Sequence, residues 1–151
     1  MANSAVFNNQ AGATFNVVSN GTYVFYGNAG TLNNAGTLNL KSGYVYVGHF
    51  VQTAAAVTSF VLNGTTVGTD YPQISATDVN LNGSAVVTLA SGYMPVFGNT
   101  FNLLYYTTRT GKFSSAALPG LGVGLSWNSA YTTNNWAIKV FYGIYLPYVI
   151  R

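Results

Sequence analysis

The chain has no cysteine, two carboxylate side chains, a single histidine and only 5% charged residues among 151. Without cysteine there is no disulfide framework, no thiol nucleophile and no thiolate metal site. The absence leaves the compartment open, because many exported proteins also avoid cysteine. The shortage of charge excludes a soluble α-helical bundle, whose wetted faces need Glu, Lys, Arg and Gln. It also deprives the pI of 9.2 of its usual meaning. Five Lys and Arg scattered along the chain make no stripe for neutralising phosphates, so no nucleic-acid partner is expected. Long apolar runs are missing too. The longest, Trp136 to Ile150, is broken by Lys139, Gly143 and Pro147 and falls short of the roughly 20 residues of a spanning helix, so no membrane-spanning segment is expected. The opening Met1-Ala2-Asn3-Ser4 has no basic region and leads into no apolar stretch, so a secretory leader is not expected within this chain.

What solvates the chain instead is 17 Asn, 17 Thr and 11 Ser, beside 17 Gly. Short polar side chains compete for backbone hydrogen bonds, and glycine weakens helix interiors, so these residues favour turns and strands. Aromatic residues at 15%, with the β-branched ones, exclude disorder and point to an all-β fold.

A degenerate repeat runs through the first part. Phe7-Asn8-Asn9 recurs as Leu32-Asn33-Asn34, and Thr14-Phe15-Asn16-Val17 as Thr37-Leu38-Asn39-Leu40. Tyr23-Val24-Phe25-Tyr26-Gly27 recurs as Tyr44-Val45-Tyr46-Val47-Gly48, and a weaker echo pairs Phe60–Gly64 with Val79–Gly83. Spacings of about 20–25 residues, with period-two strands and Asn/Gly corners, predict a parallel β-solenoid. Each coil leaves an apolar face that only the next coil covers. Asn20-Gly21 supplies a corner with positive φ. In the competing reading, an antiparallel β-sandwich, the same dipeptide is a hairpin turn between Phe15–Val18 and Thr22–Tyr26. No composition shift divides the chain. It reads as one elongated domain, with repeat coils over 1–68 and closing coils and C-terminal strands over 69–151.

The second part carries Thr69-Asp70-Tyr71 with Ile74, then Leu81-Asn82-Gly83 and Gly92-Tyr93-Met94-Pro95. Gly98-Asn99-Thr100-Phe101 and Gly111-Lys112-Phe113 follow, with strand-like Gly124–Trp127 and Trp136–Val140. In order and spacing these motifs resemble the C-terminal β-solenoid segment of bacterial autotransporter-type and related repeat-rich, adhesin-like surface proteins. The upstream Asn33–Leu38 unit is similar to their strand repeats, and the likeness spans roughly residues 30 to 140. It implies a right-handed parallel β-solenoid, an extracellular or cell-surface location, and a structural or adhesive role. No translocator barrel pattern follows, and Phe141–Arg151 runs past the usual stop, so self-transport is not expected.

Catalytic chemistry finds little material. Glycoside hydrolysis needs two carboxylates across a bond, and Asp70 and Asp78 both read as turn or strand-start residues. His49 has no His, Cys or acidic neighbour at ligand spacing. The Gly120–Gly124 run lacks the Lys-Ser/Thr end of a phosphate loop. No catalytic, cofactor-binding or metal residue is assigned, and no enzyme activity is expected. Three other features stand out. Tyr23, Phe25, Tyr44 and Tyr46 form an aromatic row that suits a contact surface for a surface glycan or another subunit. Asn20, Asn63 and Asn82 begin glycosylation sequons. Val140, Tyr142, Ile144, Leu146, Tyr148 and Ile150 form an uncharged strand-prone segment suited to strand addition between copies, giving a homo-oligomer or filament. The expected function is thus a non-enzymatic extracellular structural or adhesive module, a rigid spacer or self-assembling fibre subunit of the bacterial cell surface. The alternative is a carbohydrate- or ice-binding solenoid.

Overall fold

The computed structural model describes residues 4–143. Among them there are twelve β-strands and no α-helix. The strands are β1 (Val6–Asn9), β2 (Thr14–Val17), β3 (Tyr23–Asn34), β4 (Thr37–Leu40), β5 (Tyr44–Gln52), β6 (Val57–Leu62), β7 (Gln73–Leu81), β8 (Ser84–Leu89), β9 (Thr100–Gly111), β10 (Ser115–Ala117), β11 (Leu125–Tyr131) and β12 (Asn135–Tyr142). Odd strands up to β9 stack in parallel in one sheet and even strands up to β10 in the other. The fold is a parallel β-solenoid of about four turns. It is not a sandwich: β2 and β3, flanking Asn20-Gly21, lie in different sheets. Asn20 and Gly21 nevertheless take the expected positive φ, 38° and 81°.

Coils stack because alternate residues of both sheets point inward and meet their counterparts one coil on. Phe7 pairs with Leu32, Leu32 with Phe50, and Phe50 with Val79. In the other sheet Val17, Leu40, Phe60 and Val87 form the matching row. Leu32, Leu40, Phe50 and Phe60 are fully buried, each stabilising the stack by roughly 1.5–3 kcal/mol. The repeats Phe7–Asn9 with Leu32–Asn34, and Thr14–Val17 with Thr37–Leu40, fall in register as the sequence predicts.

Two expected alignments are corrected. Tyr23 and Val24 meet Tyr44 and Val45, but Phe25 is then skipped, so that Tyr26 meets Tyr46 and Gly27 meets Val47. Phe25 is a bulge residue with φ of 60°, and its ring turns from the tyrosine row toward Phe7 and Phe15. The echo between Phe60–Gly64 and Val79–Gly83 is not a coil repeat either. Phe60 stands opposite Val87, while Val79 belongs to the other sheet.

The two ends differ. After the fifth strand pair, the chain returns as an antiparallel hairpin, β11–β12, with β12 laid antiparallel on β9. This adds two strands to the first sheet, making seven against five. Buried Trp136 closes the core there, packed against Phe60, Phe113 and Tyr131 at centroid distances of 5.8, 5.2 and 5.9 Å. At the other end β1 and β2 each pair on one side only among the described residues.

Candidate functional site

Of the three ionisable groups weighed in the sequence, the register of β5 and β7 brings two together, His49 and Asp78. Asp70 is a turn residue whose carboxylate accepts the Thr66 amide at 2.9 Å. His49 and Asp78 are neighbours across β5 and β7, with Nδ1 and Oδ2 3.6 Å apart, and Thr108 donates to Asp78 at 2.8 Å. The cross-strand register makes this pair, invisible in a linear reading of His49. Both side chains are about half exposed, and an ion pair in that setting contributes little to stability. Among the described residues no three His, Cys, Asp or Glu side chains form a metal-binding group, and no helix is long and apolar enough to cross a membrane.

The tyrosine row is real but shorter than expected. Tyr23 stacks on Tyr44 at 5.0 Å and meets Tyr46 edge-on at 6.3 Å. Tyr44 is partly engaged, donating its hydroxyl to the Val67 carbonyl at 2.9 Å. Tyr23 is 54% exposed. Phe25 instead completes a cluster with Phe7 and Phe15, centroids 4.7–5.7 Å apart. Between Gly27 and Thr31, β3 carries residues that β5 does not match. A cleft of about 310 Å³ opens there, lined by Val6, Phe7, Phe25, Gly30, Tyr46 and Val47 among others.

Asn20, Asn63 and Asn82 are all exposed at corners. The Asn82 side chain is engaged: its Oδ1 accepts from the Gly83 amide and from Ser114 Oγ at 2.9 and 2.8 Å. Of the strand-prone segment, Val140 and Tyr142 lie in β12, where β11 already pairs with them. Val140 is fully buried, and its amide and carbonyl bond to Asn99 and Gly98. Ile144, Leu146, Tyr148 and Ile150 lie outside the described residues.

Sequence reasoning missed a buried amide ladder at the corner joining the sheets. Asn9 Nδ2 donates to Asn34 Oδ1 at 2.8 Å and to the Thr37 carbonyl at 2.9 Å. Asn34 Nδ2 donates in turn to Gln52 Oε1 at 3.2 Å and to the Val57 carbonyl at 3.0 Å. Gln52 Nε2 ends the series on the carbonyls of Asn82 and Ser84 at 2.9 and 3.1 Å. These three amides are nearly fully buried. A buried amide is tolerated only when hydrogen-bonded, and here each coil satisfies its predecessor. The signal was the second Asn of the repeated Asn-Asn pair. Gln52, which breaks that pattern, gave none.

Three tyrosines titrate above the usual range. Burial raises Tyr71 and Tyr131, outweighing a backbone hydrogen bond to each and, at Tyr131, nearby Arg109. Burial and the Asp70 carboxylate raise Tyr93, whose buried hydroxyl has no hydrogen-bond partner among the described residues. No protein-family model matches this chain, and neither does any curated protein.

Proposed function

We propose that the chain is a non-enzymatic structural module, the end piece of a β-solenoid displayed outside the cell or on its surface. There it serves as a rigid spacer or fibre unit of an adhesin-like protein. The observation that carries this reading is the difference between the ends. An antiparallel hairpin with buried Trp136 caps one, where β10 and β11 are the edge strands. Two parallel strands, β1 and β2, form the other, without such a cap among the described residues. Continuous stacking between the ends gives a stiff connector, because every inner coil is held along its length by both neighbours. The resemblance of residues 30 to 140 to autotransporter-type segments supports the same placement.

Rigidity is tested by thermolysin, which cuts unfolded chain at apolar residues. Survival of the stretch from β3 to β12 through hours of digestion is expected, and early cuts within β5 or β7 would sink the spacer role. Location is tested on intact producing cells with a membrane-impermeant amine label. Lys41, Lys112 and Lys139 are exposed and should react; labelling only after lysis would overturn an external location. The fibre role predicts association that grows with concentration in sedimentation velocity and rods in negative-stain micrographs.

A second reading, binding of a sugar through stacked rings, draws on the Tyr23–Tyr44 pair. Aromatic faces pack well on the apolar side of a pyranose ring. A glycan array in which binding disappears with Tyr23→Ala would favour it. A thermal-hysteresis assay covers the ice-binding variant.

A further inference from the structure

We infer that the first coil is a docking site for a parallel β-coil bearing a side-chain amide at its inner corner. This rests on the reading of the chain as a solenoid end and names the chemistry of what the open end takes. In the ladder, each Asn amide donates to two acceptors on the following coil, a side-chain oxygen and the carbonyl at the start of the even strand, while Gln52 ends it on two backbone carbonyls. Asn9 uses Asn34 Oδ1 and Thr37 O; Asn34 uses Gln52 Oε1 and Val57 O. Register places Thr14 where Thr37 and Val57 stand in later coils. The next acceptor pair toward the open end is therefore Asn9 Oδ1 with Thr14 O.

Both are available. Asn9 is 4% exposed, and its Nδ2 is spent on the following coil, leaving Oδ1 on the opposite side. Thr37 and Lys41 donate their amides to Ala13 and Val17, so Ala13, Phe15 and Val17 face β4. In a parallel ladder the alternate residues Thr14 and Asn16 then turn their N–H and C=O groups to the open side. The half-buried rings of Phe7, Phe15 and Phe25 form an apolar floor beside them.

The ladder also says which partner fits. Its row runs Asn9, Asn34, Gln52; one residue beyond the Val51–Asn80 pair, Leu81 takes the place, and Gly111 follows. On the outer faces, Asn33 donates to Asn8 at 2.8 Å and Asn39 to Asn16 at 3.1 Å. Farther on, the counterparts of these rows are Val51 and Ser59. On the inner corner, amides therefore gather toward the open end and give way to Leu81 and Gly111. Amides elsewhere recur farther on, at Asn80 and where Asn135 donates to Asn102 at 3.0 Å. A second copy docking by its closed end brings no inner amide. Its seven strands against five also keep β11 and β10 from meeting β1 and β2 level. The occupant is a different coil of the Leu-Asn-Asn type.

The test uses the full chain and a labelled synthetic peptide of residues 30–42, which carries Asn33, Asn34 and Asn39. Fluorescence anisotropy should show saturable one-to-one binding, weakened at least tenfold in the peptide with Asn34→Leu. Hydrogen exchange at Thr14 and Asn16 should slow on binding, while β7 is unchanged. A fused chain in which residues 6–30 are duplicated ahead of Val6 removes the cost of capturing a free peptide. Its original Thr14 amide should exchange at least tenfold more slowly, an effect lost when the duplicated copy carries Asn9→Leu. No protection in either format overturns the proposal, as does equal protection by the leucine versions. Dimers of the unmodified chain that protect Thr14 would assign the site to a second copy and overturn it too. Protease resistance and surface labelling are untouched by these outcomes, so the end-piece reading fails or stands separately.

Discussion

Asn34 shows how much one residue carries. It accepts from Asn9, donates to Gln52 and Val57, and is fully buried. Asn34→Leu keeps the branched shape in a bulkier side chain and removes the bonds to Asn9, Gln52 and the Val57 carbonyl. Although Asn9 keeps Thr37 and Gln52 keeps Thr58, a loss of about 2–3 kcal/mol is expected in urea unfolding. Asn33→Leu, on the outer face, should cost under about 1 kcal/mol. Gly36 is needed for space rather than for conformation. A Cβ there would press into the carbonyl oxygens of Ala13 and Gln10 on the preceding coil. Gly36→Ala should destabilise by about 1–3 kcal/mol, as overpacking does. At Gly12 the opposite holds: φ is 78° and nothing lies within 4 Å, so alanine costs only about 1 kcal/mol of backbone strain. Melting curves of both variants separate the two causes.

At the scale of elements, the closing hairpin depends on Tyr106. This buried residue reaches from β9 to share its hydroxyl between the carbonyls of Thr132 and Asn135, each at 2.9 Å. Those groups form the turn between β11 and β12, so one phenol anchors the cap to the coil beneath. Tyr106→Phe keeps the ring and removes the anchor. The expected cost is about 0.5–1.5 kcal/mol, and hydrogen exchange should quicken in β11 while β5 stays protected. Uniform acceleration across all strands would show instead that the cap and the coils open together. β3 shows the opposite case of an element deformed: its bulge at Phe25 turns a would-be surface ring inward, and the unmatched residues between Gly27 and Thr31 lie at the cleft beside Gly30.

For the molecule as a whole, buried phenols decide the alkaline limit. Tyr71 and Tyr131 titrate above the ordinary tyrosine value when folded, chiefly because burial penalises the phenolate. Below pH of about 10 they are neutral in both states, and their contribution is fully present. As pH climbs further, the unfolded chain releases these protons first and binds fewer than the folded one, so stability falls. Thermal midpoints should drop above pH 10 in step with tyrosinate absorbance. Tyr71→Phe should flatten that drop, while a midpoint unchanged up to pH 12 would contradict the account.

How much was legible in advance follows the range of the forces involved. Composition and period-two patterning settle the all-β class. The repeats Phe7–Asn9 and Thr14–Val17 settle the stacking, because a residue that must lie on its own counterpart leaves a periodic trace. The bulge at Phe25 leaves none, since the extra residue is accommodated by φ of 60° and by rings from β1 and β2. Nor does the pairing of His49 with Asp78, the role of Gln52, or the burial of Val140 under its own hairpin. The sequence alone determined that coils pile up and which faces are apolar. Tertiary structure decided which end is closed and where the amides point, because those depend on groups that meet only when distant strands are laid side by side.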